Sequence, residues 1–259
     1  MTGRIPLHIE SDLPVRRLDV VETTGSTNAD LLARHAAGDD IRGVALVAEH
    51  QTAGRGRNGR VWSAPPRSQI AMSLGVDAAG VPPATWGWLP LLAGVALVDA
   101  VREVTGVEAL LKWPNDVLVG TGKLAGILAE VAAPTEVIVV GLGLNVTLTA
   151  QEAPDPRATS LLMLGSPNTD RAVILKCILG ELMSRIGQWR SAGGRAGQLM
   201  DDYRQRSATL GAQVRAILPG DREIVGTACA IDDLGRLSID AGAETVQVSA
   251  GDIVHLRPV

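Results

Sequence analysis

Phenylalanine is absent from this chain and tyrosine occurs once, while alanine, valine, leucine and glycine are abundant. That bias reads as a compositional habit and carries no function. Cysteine is scarce as well. Cys177 and Cys229 stand alone, form no CxxC pair and build no disulfide framework, so a reducing cytoplasm is the expected setting. The first residues, MTGRIPLHIESDLPVRR, lack the apolar core of a secretory signal. The apolar run WGWLPLLAGVALVDAV is interrupted by Pro90 and Gly94 and reaches Asp99, which predicts a buried helix rather than a membrane span. An excess of positive charge is also missing. The net charge is -4 and the pI about 5.6, unlike the basic footprint of a nucleic-acid binder. His8, His35, His50 and His255 are scattered without metal-ligand spacing, and no GxSxG marks a serine-hydrolase elbow.

What is present suits one large domain and a small one: 259 residues, 46% hydrophobic and 20% charged. Strand patterns cover 16–22, 43–49, 69–76, 110–113, 116–119, 123–131 and 136–146. Helical spacing covers 26–38, 84–104, 171–190 and 196–206. Thr27 and Asp30 read as a capping pair for the first helix, which Gly38 stops, and Asp170 caps the long one. GTG at 120–122 is a hairpin signal. From Leu210 onward five short strands recur between Pro-Gly, Asp-Asp and Ala-Gly turns, the pattern of a small β-barrel over 210–259. The fold class is α+β.

Four motifs carry chemistry. QTAGRGRNGR (51–60) reads either as a solvated loop or as an anion site. In the second reading Gly54, Gly56 and Gly59 let N–H groups converge, and Arg55, Arg57 and Arg60 supply forked donors to phosphate or carboxylate. GTGKLAG (120–126) fails the P-loop pattern, leaving Lys123 as an edge-guarding lysine or as a point charge for an anion. GLGLN (141–145) fails the Rossmann pattern, and its glycines predict close approach of a flat ligand to the strand. KWPND (112–116) is a turn that also gathers a lysine, an amide and a carboxylate.

In order, STN (26–28), QTAGRGRNGRVW (51–62), KWPND, KLAGILAE (123–130) and GLGLN closely resemble the biotin–protein ligases. The tail segments GTACAIDDLGRL (226–237) and AGDIVHL (250–256) resemble that family's SH3-like C-terminal module. The resemblance implies a mixed-sheet catalytic domain over 1–209, related to class II aminoacyl-tRNA synthetases and lipoate ligases, with the barrel over 210–259. Only 25 residues precede Ser26, so the monofunctional branch without an N-terminal DNA-binding domain is expected. The implied reaction makes biotinyl-5′-AMP from biotin and Mg·ATP. A lysine of a biotin carboxyl carrier protein or domain then takes the biotinyl group.

Carried over by position, Ser26, Thr27, Asn28 and Gln51 are expected to hold biotin's ureido end, with Gly126 offering backbone in the same pocket. Arg55, Gly56, Arg57 and Lys123 are expected at its carboxylate. Nucleotide contacts fall to Arg55, Arg57, Arg60, Trp62, Lys112, Asn115 and Asn145, while the adenine-side loop at about 151–160 (QEAPDPRATS) is too irregular for residues to be assigned. Lys123, Arg57 and Asp116 are the expected catalytic residues. They supply positioning and positive charge where two anions meet. The glycines of the arginine loop predict a lid that orders over ligand. Magnesium is expected with ATP and not as a fixed protein site. A cytoplasmic protein that binds neither nucleic acid nor membrane follows. A lipoate-transferring relative and a non-catalytic binding module stand as the alternatives.

Overall fold

The computed structural model describes residues 4, 6–9, 12–218, 223–249 and 252–255. A seven-stranded sheet forms from β1 (Arg17–Thr24), β2 (Val44–Gln51), β3 (Gln69–Asp77), β4 (Leu110–Lys112), β5 (Asp116–Val119), β6 (Gly122–Val131) and β7 (Val137–Asn145). Its spatial order is β1-β2-β3-β7-β6-β5-β4. β1 and β2 run parallel and every other pair is antiparallel, so the sheet is mixed. Helices α1 (Thr27–Ala36), α2 (Trp88–Thr105), α3 (Arg171–Ser191) and α4 (Gln198–Arg206) complete this part. None is long and apolar enough to cross a membrane among the described residues.

Both faces of the central strands are buried, and side chains alternate between them. Ala45 and Val47 of β2 join Ile138, Val140 and Leu142 of β7 in the large core beneath α2 and α3. Val44, Leu46, Val137 and Val139 point the other way and pack with Leu31 of α1. The same alternation brings Gly141, Gly143 and Asn145 onto the α1 face of β7. There the apolar ledge gives way to glycine and a polar end. In register, Gly126 lies opposite Gly143 and Leu128 opposite Gly141, so the bare backbone spans two strands.

Two sequence expectations change. The cap of α1 is Ser26, whose side chain accepts from Ala29 N, while Asp30 accepts from the Thr24 hydroxyl. The chain is still extended at Ser26, and a cap must sit where the backbone turns into the helix. Lys123 guards no edge either: β6 is flanked by β5 and β7, and the sheet ends at β4.

The tail folds as a second antiparallel sheet of β8 (Gln213–Ile217), β9 (Glu223–Ile231), β10 (Leu237–Asp240), β11 (Thr245–Val248) and β12 (Asp252–His255). Its order is β11-β10-β9-β8-β12. The Pro219–Gly220 and Ala250–Gly251 turns and Leu256 lie outside the described residues. Two tryptophans tie this sheet to the first. Trp88 donates its indole N–H to the Asp233 carbonyl at 2.9 Å, and Trp113 donates to Gly235 at 3.0 Å. Both rings are buried. A buried indole needs an acceptor for its N–H, and here the turn between β9 and β10 provides one to each.

Candidate active site

A cleft of about 660 Å³ opens over the glycine patch. Its inner end is built from the start of α1. Ser26, Thr27 and Asn28 are buried at the corner where β1 hands over to the helix. Thr24 pairs with Gln51 across β1 and β2, which brings Gln51 to the same corner. The Gln51 side-chain oxygen accepts from Thr27 N at 2.8 Å and lies 3.1 Å from its hydroxyl. Asn28 fills the space above Gly141, where an added Cβ would sit 2.1 Å from Oδ1. Its amide donates to the Leu128 carbonyl and to Glu130, while Oδ1 accepts from Ser73 at 2.5 Å. Asn28 is therefore fully engaged by the sheet.

The glycine strand does receive flat groups, but they belong to the protein. A Cβ on Gly143 would meet the Trp62 indole at 2.4 Å, and one on Gly126 would meet the same ring at 3.2 Å. Trp62 Nε1 donates to Gln69 at 2.6 Å, which fixes the ring.

The arginine loop closes on itself. Trp62 N donates to the Gly54 carbonyl, and Gly56 N donates to Arg60 at 2.8 Å. The Gly56 N–H is thus spent inside the loop rather than offered to an anion. Gly54 is needed for close approach: a Cβ there would lie 2.3 Å from the Trp62 carbonyl oxygen. Asn58 adopts φ 55, left-handed backbone that asparagine tolerates better than most residues. Arg55 and Arg57 reach across the cleft. Arg55 pairs with Glu130 at 2.9 Å, and Arg57 donates to Asn115 Oδ1 at 3.4 Å. Arg60 and Lys112 line the same cleft.

The opposite wall is the KWPND bend and the start of β6. Lys123 sits 2.6 Å from Asp116, with its ammonium 5.6 Å from the Trp62 ring centroid. Asn115 is fixed to Ile127 by a reciprocal pair of 2.9 Å hydrogen bonds. Asn145 donates to the Thr159 carbonyl at 2.9 Å.

The residues expected to bind biotin or nucleotide all border this one cleft, whereas Gly54 and Gly59 of the arginine loop do not. The sequence resemblance put a loop at about 151–160 on the adenine side without assigning its residues, and it missed the contribution of the tail to the rim. The loop at 154–158 is laced to β6: Lys123 N donates to Arg157, and Thr159 N donates to Lys123. Within it the Arg157 guanidinium and backbone N–H hold the Asp155 carboxyl below its ordinary range. The rim is completed by Ile253, Val254 and His255 of β12. His255 Nε2 lies 3.1 Å from Thr209 Oγ1, which also accepts from Trp113 N. Burial, then the nearby Lys112 cation, lowers the imidazole pKa. AGDIVHL was visible as a tail motif, but no local pattern aims it at a cleft more than a hundred residues upstream.

A mixed sheet carrying a cleft with a buried polar corner and several cations suits a ligase that activates an acid with a nucleotide. Residues 21–145 match the biotin/lipoate A/B protein ligase family, and residues 209–256 match the biotin protein ligase C-terminal domain. The chain is 58% identical over 245 residues to the biotin–[acetyl-CoA-carboxylase] ligase of Mycobacterium tuberculosis, covering 93% of this chain and 90% of that one. It is 31% identical to the bifunctional ligase/repressor of Bacillus subtilis, covering 91% of this chain and 72% of the other. The structure of Aquifex aeolicus biotin protein ligase in complex with biotin and ATP superposes with a TM-score of 0.79 at 26% identity, covering 94% and 100% of the two chains. The chain belongs to the biotin protein ligases.

Proposed function

We propose that the cleft converts biotin and Mg·ATP into biotinyl-5′-AMP and pyrophosphate, then passes the biotinyl group to one lysine of a biotin carboxyl carrier domain. The observation that carries this reading is the convergence of all five motifs on a single cleft, polar and buried at one end and cationic at the other.

In the first step a biotin carboxylate oxygen attacks the α-phosphorus of ATP and the bond to pyrophosphate breaks. Two anions must be held together, so cations placed beforehand do most of the work. Lys123 is assigned to the reacting carboxylate and α-phosphate. Asp116 holds its ammonium in place. Arg55, Arg57 and Arg60 neutralise the phosphates from the loop side, with Lys112 facing them. Gln51, with its oxygen engaged by Thr27, has its amide N–H groups left for the ureido oxygen. Ser26 and Thr27 complete that end, and Asn28 braces it. Trp62 packs against the adenylate, with Asn145 and the 154–158 loop on the nucleotide side.

In the second step the carrier's lysine amine attacks the acyl carbon, the acyl–phosphate C–O bond breaks, and AMP departs. Asn115 and Asp116, at the mouth beside Lys123, orient the incoming amine. No group of three metal-binding side chains occurs among the described residues. Magnesium is taken to enter as part of the Mg·ATP substrate. ATP supply and two free cysteines fit a cytoplasmic enzyme.

The test is isotope exchange between pyrophosphate and ATP with biotin or lipoate supplied in turn. Biotin alone is expected to drive exchange. Exchange driven by lipoate alone assigns the cleft to a lipoate-transferring relative, and exchange with neither acid to a binding module.

A further inference from the structure

Glu130 stands on β6 behind the wall of the cleft and belongs to none of the roles above. One carboxylate oxygen takes the Arg55 guanidinium at 2.9 Å, and the other accepts from the Asn28 amide at 2.8 Å. Asn28 Oδ1 accepts from the Ser73 hydroxyl at 2.5 Å, the Ser73 oxygen lies 2.7 Å from the Thr27 hydroxyl oxygen, and the Thr27 backbone N–H donates to Gln51 at 2.8 Å. One polar chain thus runs from the arginine loop to the pocket assigned to the ureido ring. Glu130 is the link that joins the two ends.

For anion binding alone a carboxylate in this place is a disadvantage. It pairs with Arg55, a cation assigned to phosphate, and weakens its field. An exposed Arg–Glu pair also contributes little to folding, and the Arg55 side chain is 49% exposed. Geometry accounts for it better. A guanidinium on a loop has many rotamers to lose when it meets an anion, and prior anchoring lowers that cost. The anchor is itself fixed, because its second oxygen is held by an asparagine seated against Gly141. We propose that Glu130 is a positioning residue that holds Arg55 in a set relation to Asn28, so that the anion end of the cleft is oriented from the biotin end.

The proposal rests on the biotin-ligase reading and is separable from it, since biotin-dependent exchange by the unmodified enzyme tests that reading alone. The experiment measures KM for biotin and for ATP in the exchange reaction for Glu130→Gln, Glu130→Ala, Arg55→Ala and the Arg55→Ala/Glu130→Gln double variant. Glutamine keeps an acceptor for Asn28 and removes the charge that holds Arg55. Glu130→Gln is expected to raise KM for ATP about fivefold, as a charged hydrogen bond on a half-exposed arginine warrants, and to leave KM for biotin within about twofold. In the Arg55→Ala background the same change is expected to add less than about twofold, because its partner is gone. Glu130→Ala, which releases Asn28 too, is expected to raise both constants. An equal penalty with and without Arg55, or a lower KM for ATP in Glu130→Gln, overturns the proposal. So does Glu130→Ala matching Glu130→Gln on biotin. Exchange by the unmodified enzyme together with any of these results removes the role of Glu130 and leaves the ligase reading intact.

Discussion

The two ends of the cleft are built differently. At the inner end Ser26, Thr27 and Asn28 are each at most 4% exposed, and the amide of Asn28 is committed within the sheet. At the outer end the Arg55 side chain is half exposed and Val61 is 77% exposed, on a loop held by its own hydrogen bonds and by contacts across the cleft. One end is shaped before a ligand arrives, and the other has room to close over it. A neutral ring recognised by hydrogen bonds benefits from the first arrangement, because pre-formed donors and acceptors lose little on binding. A reactive acyl phosphate benefits from the second, because a site must open to admit its substrate and shut to keep water from the product.

The largest effect is expected where the two ends meet. Lys123→Ala removes the cation beside Asp116 at the proposed reacting atoms, and loss of one such donor typically costs a hundredfold or more. Pyrophosphate exchange is expected to fall by at least about that factor while the protein stays folded by circular dichroism. Next comes Gly141→Ala. The new methyl evicts Asn28 from a buried site, and strands polar groups at a cost of about 1–3 kcal/mol. Calorimetry is expected to find biotin binding about tenfold weaker or worse. Gly143→Ala, two residues along the same face, displaces Trp62 instead and is expected to weaken ATP binding while sparing biotin. If both variants lose biotin equally, the division between the ends does not hold.

Arg57→Gly is a milder change at the outer end. It removes a forked cation and adds a flexible residue to the loop. A weaker hold on the adenylate, roughly tenfold, is expected to let biotinyl-AMP escape and acylate lysines of an unrelated protein added to the mixture. A biotin blot of that bystander checks it, and labelling no stronger than with the unmodified enzyme counts against a retaining lid. The smallest effect concerns the rim. His255 has a pKa below 6.5 because it is half-buried and faces Lys112, so the folded chain favours the neutral ring and unfolding takes up a proton. The stabilisation is complete above that ordinary value and declines as pH falls through the lowered one. Melting temperatures across this range are expected to drop more for the unmodified protein than for His255→Gln.

Much of the sheet was legible in the sequence because β-branched alternation repeats locally. Strand bounds such as 69–76 against Gln69–Asp77 differ by a residue. The site residues were legible as a group because each motif departs from its local pattern: arginines among glycines, or glycines in an apolar strand. What was not legible depends on side chains that meet across long separations. That Asn28 and Trp62, rather than a ligand, fill the space over Gly141 and Gly143 follows from the meeting of α1, β7 and the arginine loop. The loop at 154–158 carries no periodicity, so the resemblance could put it on the adenine side but assign none of its residues, and its backbone bonds to Lys123 bring it to the cleft. The tail's short strands were visible, but their docking through Trp88 and Trp113 was not, since each of those residues also fits its own segment as ordinary core.

Trp113 has a consequence for biosynthesis. It sits inside KWPND, two residues before Asn115, and its indole N–H is satisfied by the carbonyl of Gly235. On the ribosome, residue 235 is made 122 positions after the tryptophan that needs it. Until then the bend holding Asn115 and Asp116 lacks its backing, and the indole N–H must stay in water. This backing of the bend is therefore complete only when the tail has been translated and has docked. A growing chain exposes the arginine loop and the KWPND bend well before the contact that backs the bend can form.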